Sequence, residues 1–165
     1  MAFGMKIISW NDLRSLADRG AESRRRRANL NLHPELSDPV QRFFNAVQPG
    51  SYVRPHRHGS GRWETFVALA GAGAMLTFDD DGAVLDRADL SPAGPHAAAE
   101  VPAGVWHTIV ALEPGTVFLE IKPGPYVPLE DKDFAFWSPP EGAEAASAFA
   151  QWFGTARPGD HPLPD

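Results

Sequence analysis

Four residues in this chain have the types and the spacing of a metal-binding site. His56 and His58 are separated by one residue, Glu64 follows them, and His107 comes later, just past a Pro-x-Gly turn. If the segment around the first two histidines is a strand, their side chains lie on one face, about 6.6 Å apart along the chain. Glu64 would begin the next strand and return across the hairpin to the same face.

This donor set predicts a bound divalent metal ion. The chain has no cysteine, so any metal must be held by His, Asp or Glu. Three neutral imidazoles and one carboxylate suit divalent Fe, Mn, Co, Ni or Zn, and they leave positions open for water, oxygen or a chelating substrate. The alternative is that the histidines are hydrogen-bonded residues of a barrel and bind no metal.

Neighbouring residues are candidates for proton transfer and substrate contacts. Tyr52 and Arg54 alternate with His56, so a regular strand would point all three into one pocket, although the intervening proline can disturb it. We predict Glu64 and Tyr52 as catalytic residues that handle protons. Arg54 and Arg42 would hold an anionic group of the substrate. Each of these residues also has a purely structural interpretation.

Three further features have two interpretations each. His33, at the end of an alternating strand, is predicted to bind substrate, or else to cap the chain before a proline. Lys122 shares a strand face with Glu120, so it lines the barrel as a substrate-binding residue or pairs with that carboxylate. The run Arg24 to Arg27 is an anion-binding patch or a solvated strand edge. On strand parity only two of its four arginines could face any one pocket.

The composition excludes several classes of function. Of the 165 residues, 43% are hydrophobic and 22% charged, which is ordinary for a soluble globular domain. The net charge of −6 argues against nucleic acid and anionic membranes as partners. No apolar run approaches the roughly 18 residues that span a bilayer, and the first residues lack a secretory pattern. We expect a cytoplasmic protein with a small-molecule substrate.

The sequence pattern indicates a mostly β protein with one short helix at each end. "MKIISW" predicts a strand and "NDLRSLADRGAESRR" a helix. Short apolar runs then end in Gly, Pro or Asp about every 8 to 12 residues, which is typical of a β-sandwich or barrel. "EGAEAASAFAQWFGT" predicts a second helix. We therefore expect a strand and helix extension over 1–23, a barrel over 24–140, and a helix with a flexible tail over 141–165.

The motifs around the candidate ligands resemble those of the cupins, a family of small jelly-roll β-barrels. Their first motif reads Gly-x5-His-x-His-x3-4-Glu-x6-Gly, and the segment from Gly50 to Gly71 matches it with one or two extra residues before the glutamate. Their second motif, Pro-x-Gly-x2-His-x3-Asn, is similar to the segment from Pro102, but Ala111 replaces the asparagine. The resemblance implies a cupin barrel whose metal ligands are His56, His58, Glu64 and His107.

A longer resemblance is to the WbuC-type cupin-fold metalloproteins. It covers "RRRRANLNLH", "DPVQRFFNAVQPGSYVRPHRH", "PAGVWHT" and "KPGPYVPLEDKDFAFWSPPEG". Members of that group often lie among polysaccharide or O-antigen biosynthesis genes, and their reaction is unassigned. The resemblance thus implies the fold and the metal site, and cupins are commonly dimers, so a homodimer is predicted.

Three classes of function fit these residues. The first is a metal-dependent isomerase or epimerase on a sugar or nucleotide sugar, in which the ion polarises a carbonyl or stabilises an enediolate. The second is an Fe(II)-dependent dioxygenase. The third is a non-catalytic module that binds metal or sugar. The residues themselves do not separate the first class from the second.

Overall fold

The computed structural model describes residues 4–162, which form two antiparallel β-sheets with one helix packed outside each sheet. One sheet has the strand order β1-β2-β8-β3-β6 and the other β5-β4-β7. The predicted mostly β jelly-roll barrel with two terminal helices is confirmed. The elements are α1 (Trp10–Glu22), β1 (Arg27–Asn31), β2 (Val40–Val47), β3 (Glu64–Ala70), β4 (Gly73–Phe78), β5 (Val84–Leu90), β6 (Ala98–Val101), β7 (Trp106–Ala111), β8 (Thr116–Pro123) and α2 (Ala146–Thr155).

Alternation along the strands divides the side chains between the barrel interior and the helices. On β8, Phe118 belongs to the apolar cluster between the sheets, whereas Val117 packs with α1. On β2, Phe44 packs with α1, and Phe43 faces the interior cavity described below. This period of two is what an antiparallel sheet covered on both faces requires.

The first helix begins directly after a segment whose apolar content predicts a strand. Ser9 accepts a hydrogen bond from the Asp12 backbone N–H at 3.2 Å, and Asp12 accepts from the Ser9 N–H at 2.7 Å. This capping box starts α1 at Trp10. The prediction of a strand over "MKIISW", residues 5–10, is therefore wrong, because Met5 and Ile7 are exposed and pair with no strand.

The second helix packs on its own chain. Phe149 and Phe153 are buried against the three-stranded sheet, in a cluster that includes Leu76 and Val110. These aromatic side chains are therefore covered within the protomer. The helix ends at Thr155, the last residue of the segment from which it was predicted.

The tail after this helix is held to β5 as far as the structure describes it. The Gly159 N–H donates to the Val84 carbonyl at 2.8 Å, and the Val84 N–H donates to the Asp160 carbonyl at 2.9 Å. These two hydrogen bonds attach residues 159 and 160 to the first residue of β5, and the flexibility of the tail stays a prediction. Residues 163–165 of the predicted tail lie outside the described residues. None of the helices within residues 4–162 has the length and apolarity to cross a membrane.

Candidate metal centre

The structure brings His56, His58, Glu64 and His107 together at one end of the barrel. One possible ligand atom from each of these side chains lies within 4.8 Å of the other three. We refer to these four residues as the histidine–glutamate group. His107 is the second residue of β7 in the smaller sheet, and Glu64 is the first residue of β3 in the larger sheet. The group therefore spans the space between the two sheets.

His56 and His107 are placed by a two-residue antiparallel bridge. The His56 N–H donates to the His107 carbonyl at 3.1 Å, and the His107 N–H donates to the His56 carbonyl at 2.9 Å. Residues directly opposite in such a pair point to one side of the sheet, and the two rings lie 4.5 Å apart. Gly104, with φ at +82°, then donates its N–H to the His58 carbonyl at 2.9 Å. The Pro-x-Gly turn thus fixes the position of His58 as well.

Backbone carbonyls orient two of the imidazole rings. Nδ1 of His56 lies 2.9 Å from the carbonyl of Arg54, and Nδ1 of His107 lies 2.9 Å from that of Val105. Because a carbonyl only accepts, each Nδ1 carries the proton and each Nε2 presents a lone pair. Burial, together with the charge of His107, lowers the pKa of His56 to about 3. This neutral, Nδ1-protonated form is the one that binds metals through Nε2.

Glu64 is ionised at the centre of the group. Its side chain is 2% exposed, and Oε2 lies 2.9 Å from His107 Nε2. Oε1 lies 2.8 Å from His58 Nε2 and 2.7 Å from Lys122 Nζ. Burial alone would raise the pKa of Glu64, but contacts with His107, His58 and Lys122 outweigh it and hold the pKa well below its usual range.

The arrangement of these nitrogen and oxygen atoms suits coordination of a shared cation better than hydrogen bonding among the four side chains. His58 Nε2 is close to Glu64 Oε1, yet it lacks hydrogen-bond geometry and has no other partner among the described residues. The lone pair of His107 Nε2 faces a carboxylate oxygen, which is repulsive unless a proton or a metal ion lies between them. A buried nitrogen without a partner and converging lone pairs are what a metal site presents before it binds its ion. The residues present therefore fit a divalent metal.

The histidine–glutamate group opens into cavities on two sides. The larger cavity, about 270 Å³, has His56, Glu64 and His107 at one end. The smaller, about 140 Å³, adjoins His58 and the exposed aromatic side chains of Trp63 and Tyr126. The larger cavity is lined by apolar residues of both sheets and by six polar ones, Arg25, Arg27, Asn29, Asn45, Glu120 and Lys122. It has the size and mixed lining of a small-molecule site.

Lys122 lies beside the group, as predicted for a pocket residue, and its ammonium joins two carboxylates. Nζ donates to Glu64 Oε1 at 2.7 Å and to Glu120 Oε1 at 2.8 Å. Burial alone would lower the pKa of Lys122, but Glu120 and Glu64 outweigh it and raise the pKa. Burial and the negative charge of Glu64 raise the pKa of Glu120 to about 7. Lys122 therefore both lines the cavity and pairs with Glu120, and substrate binding by Lys122 stays a prediction.

Tyr52 and Arg54 are not brought to the group. The Tyr52 hydroxyl donates to the Pro139 carbonyl at 2.8 Å, and its ring stacks on Phe153 at 6.0 Å. Arg54 donates to Ser138 Oγ at 3.2 Å and lies over a phenylalanine ring of the same segment. Residues 51–55 form no strand, so the parity from which both were predicted does not apply here. Burial raises the pKa of Tyr52 to about 12, far from that of a proton donor at neutral pH.

His33 and Arg42 also lie away from the cavities. Nδ1 of His33 accepts from the Arg42 backbone N–H at 3.0 Å, and its ring packs edge-on against Phe43. The capping interpretation fits this contact. The Arg42 side chain is exposed, because on β2 it is the neighbouring Phe43 and Asn45 that face the cavity.

Five polar cavity residues, among them Asn29 on β1, were absent from the set predicted to bind substrate. Glu120 and Asn45 lie on adjacent strands, where Asn45 Nδ2 donates to Glu120 Oε2 at 3.2 Å. Arg25 and Arg27 come from the arginine run. Two of its four members line this cavity, but only Arg27 lies in a strand, so the predicted parity does not explain the selection. Polar residues alternating with aromatic ones on β2, and Glu120 preceding Lys122 by two positions, were the signals available in the sequence.

The sequence of residues 8–90 matches the family model described as a domain of unknown function (DUF6016), just over half of the chain. The chain belongs to this family. The matched region runs from just before α1 to the end of β5, so it includes His56, His58 and Glu64 of the histidine–glutamate group. None of the curated proteins matches the DUF6016 chain in sequence.

Solved structures share its fold. TT1209 from Thermus thermophilus is 21% identical with a TM-score of 0.52, over 72% of this chain and 97% of that one. The capsular polysaccharide assembling protein CapF from Staphylococcus aureus is 18% identical with a TM-score of 0.52, over 64% of this chain and 29% of that one. Cupin-superfamily proteins are among the similar structures. Rru_A2000 from Rhodospirillum rubrum, a cupin-2 domain, is 16% identical with a TM-score of 0.49, over 78% and 80% of the two chains. At these identities the similarity concerns the fold alone.

Proposed function

We propose that this chain binds one divalent metal ion through His56, His58, Glu64 and His107, and acts as an enzyme on a small polar molecule. The observation that supports it most is the convergence of four donor atoms within 4.8 Å, with a buried His58 Nε2 that has no hydrogen-bond partner among the described residues. Once bound, such an ion would supply Lewis acidity, polarising a carbonyl or stabilising an enediolate.

The protein residues around the site suit proton transfer during an isomerisation or epimerisation. Glu120 lines the cavity that holds the substrate in this proposal, and its pKa of about 7 lets it accept or release a proton at neutral pH. The ammonium of Lys122 holds its Oε1 at 2.8 Å, which fixes the carboxyl in place. Glu120 thus takes the proton-handling role that Tyr52 was predicted to have, because Tyr52 does not reach the cavity.

The metal content of protein expressed without added metal tests the binding part of this proposal. We expect about one ion per chain, and the His58→Ala variant should lose it. The matched control is His96→Ala, which removes an exposed histidine that is not one of the four proposed ligands. Full metal retention by the His58 variant would refute the ligand assignment.

Assays of the metal-loaded protein test the enzymatic part. Turnover of sugar phosphates or nucleotide sugars would support the isomerase or epimerase class, as the WbuC-type resemblance and its association with polysaccharide biosynthesis suggest. Oxygen consumption with Fe(II) but not Zn(II) would instead support the dioxygenase. Ligand-induced stabilisation without turnover would support the binding module. We also propose a cytoplasmic homodimer, which light scattering coupled to gel filtration would test.

A further inference from the structure

Two arginines at the outer end of the larger cavity hold a carboxylate from a distant part of the chain. Arg25 donates from Nε to Glu141 Oε1 at 2.6 Å and from Nη2 to Oε2 at 2.8 Å. Arg27 donates from Nη2 to both oxygens, at 3.1 and 2.9 Å. Both oxygens of one carboxylate are therefore bound by two guanidinium groups, the geometry by which arginine recognises carboxylates and phosphates.

The two arginines line the cavity, whereas Glu141 does not. Arg25 and Arg27 belong to the wall of the cavity whose other end is His56, Glu64 and His107. Glu141 lies in a neighbouring surface groove that Arg25 also lines. The arginine pair thus forms the boundary between the cavity and the outside, with its donors turned to a carboxylate on the outer side.

Arg27 is held in position without help from Glu141, and the two arginines together need an anion. Arg27 donates from Nη1 to the Tyr52 carbonyl at 2.9 Å and approaches Ser51 Oγ at 3.3 Å. Its side chain is only 15% exposed. Burial and the adjacent charge of Arg25 lower the pKa of Arg27, so the two cations together are costly unless a negative group compensates them.

Glu141 is poorly anchored by comparison. It lies in the irregular stretch 135–145 that precedes α2, and Gly142 after it has φ at +87°. Its side chain is 37% exposed and that of Arg25 is 62% exposed. The Arg25–Glu141 pair, with this much solvent access, contributes little net stability. An incoming anion that contacts both arginines can therefore replace this carboxylate, because it also supplies the negative charge that the less exposed Arg27 needs.

We propose that Arg25 and Arg27 form an anion subsite, at which a carboxylate or phosphate group of the substrate replaces Glu141. This inference rests on the proposed function, because it names the class of substrate that the metal site would act on. The substrate would lie in the cavity with its anionic group on the arginines and its reacting end toward the histidine–glutamate group. A dication bound by the histidine–glutamate group would, together with Lys122, make that part of the cavity attractive for a second oxygen group as well.

Anion titrations of the metal-free protein test the subsite separately from the metal site. We expect inorganic phosphate or acetate to bind Glu141→Gln about tenfold more tightly than the unaltered protein, because the competing carboxylate is gone. Adding Arg25→Met to that variant should abolish the gain. Arg25 serves here because, within residues 4–162, the hydrogen bonds of its side chain go to Glu141, so its loss does not disturb the fold as the loss of Arg27 could.

Arg24→Met in the Glu141→Gln background is the matched charge control. It removes an exposed arginine from the same run that does not line the cavity, and it should leave the affinity within about twofold. Equal loss from Arg24→Met and Arg25→Met would show nonspecific attraction and overturn the proposal. So would an unchanged affinity in Glu141→Gln. Tighter binding of phosphate than of acetate would identify a phosphorylated substrate, and the reverse a carboxylic acid.

Straight-chain dicarboxylates connect the subsite to the metal. Of a series from malonate to adipate, we expect at least one to bind the metal-loaded protein more tightly than the metal-free protein, while acetate shows no such difference. If the protein binds no metal but the arginine variants behave as stated, the proposed function fails and the anion subsite stands. If metal binds normally but the Glu141 and Arg25 variants have no effect on anions, only the subsite fails.

Discussion

The ammonium of Lys122 lies 2.7 Å from Oε1 of Glu64, the same oxygen that His58 Nε2 approaches to 2.8 Å. The buried ammonium of Lys122 thus already neutralises part of the negative charge of Glu64 that would otherwise attract a metal ion. This arrangement keeps Glu64 ionised without metal, and it places a positive charge next to the position of the ion. Removing the ammonium of Lys122 should therefore lower the stability of the metal-free protein and raise its affinity for metal.

Lys122→Met tests this opposition. The variant leaves the carboxylates of Glu64 and Glu120 without their shared partner, which should cost the metal-free protein about 2 kcal/mol of unfolding free energy. Its metal affinity should rise, because the repulsion between the ammonium and the ion is removed. Chemical denaturation of the metal-free protein and a metal titration measure the two effects.

Lys132→Met is the control for that experiment. Its ammonium also lies 2.7 Å from a carboxylate, that of Glu130, but the two side chains are 75% and 67% exposed. We expect no measurable change in stability or in metal affinity. A Lys122 variant that binds metal more weakly than the unaltered protein would contradict the proposed competition.

Tyr52→Phe separates the structural from the catalytic interpretation of that tyrosine. The hydroxyl donates to the Pro139 carbonyl in a packed cluster, so its removal should cost about 1 kcal/mol of stability. Metal content and any catalytic rate should stay unchanged. Loss of a proton donor lowers a catalytic rate by about a hundredfold or more. A fall of that size in the Tyr52→Phe variant would show that Tyr52 takes part in proton transfer.

The contrast between Tyr52 and His56 shows what local sequence rules could predict. The grouping of His56, His58, Glu64 and His107 was predicted from strand parity, a hairpin and a Pro-x-Gly turn. Only the turn is present as predicted, because residues 57–63 form no strand and β3 pairs with β6 and β8. Those signals lie within short segments, and the structure does bring the four side chains together. Tyr52 and Arg54 required the same parity to extend through a proline, where the chain forms no strand.

Other parts of the site depend on contacts that no local pattern encodes. Glu141 meets Arg25 across 116 residues of sequence, and nothing in the run of four arginines indicates which of them has a distant partner. The apolar run "MKIISW" was similarly misleading, because the capping box at Ser9 decides the local structure more strongly than apolar content does. The barrel itself was predictable because its turns recur along the chain.

Glu120→Gln should change how stability depends on pH. An acid whose pKa rises from 4.5 in the unfolded chain to about 7 in the folded one binds its proton more tightly when folded. The unaltered, metal-free protein should therefore lose stability as pH rises from 4.5 through 7, by up to about 3 kcal/mol, through this group. Glutamine cannot ionise and keeps the side-chain shape. We expect the stability of the variant relative to the unaltered protein to rise across that window and stay level above it.

Urea denaturation of both metal-free proteins from pH 4.5 to 8 measures the difference. A difference independent of pH would mean that Glu120 keeps an ordinary pKa, and would remove it from the proton-transfer role proposed above.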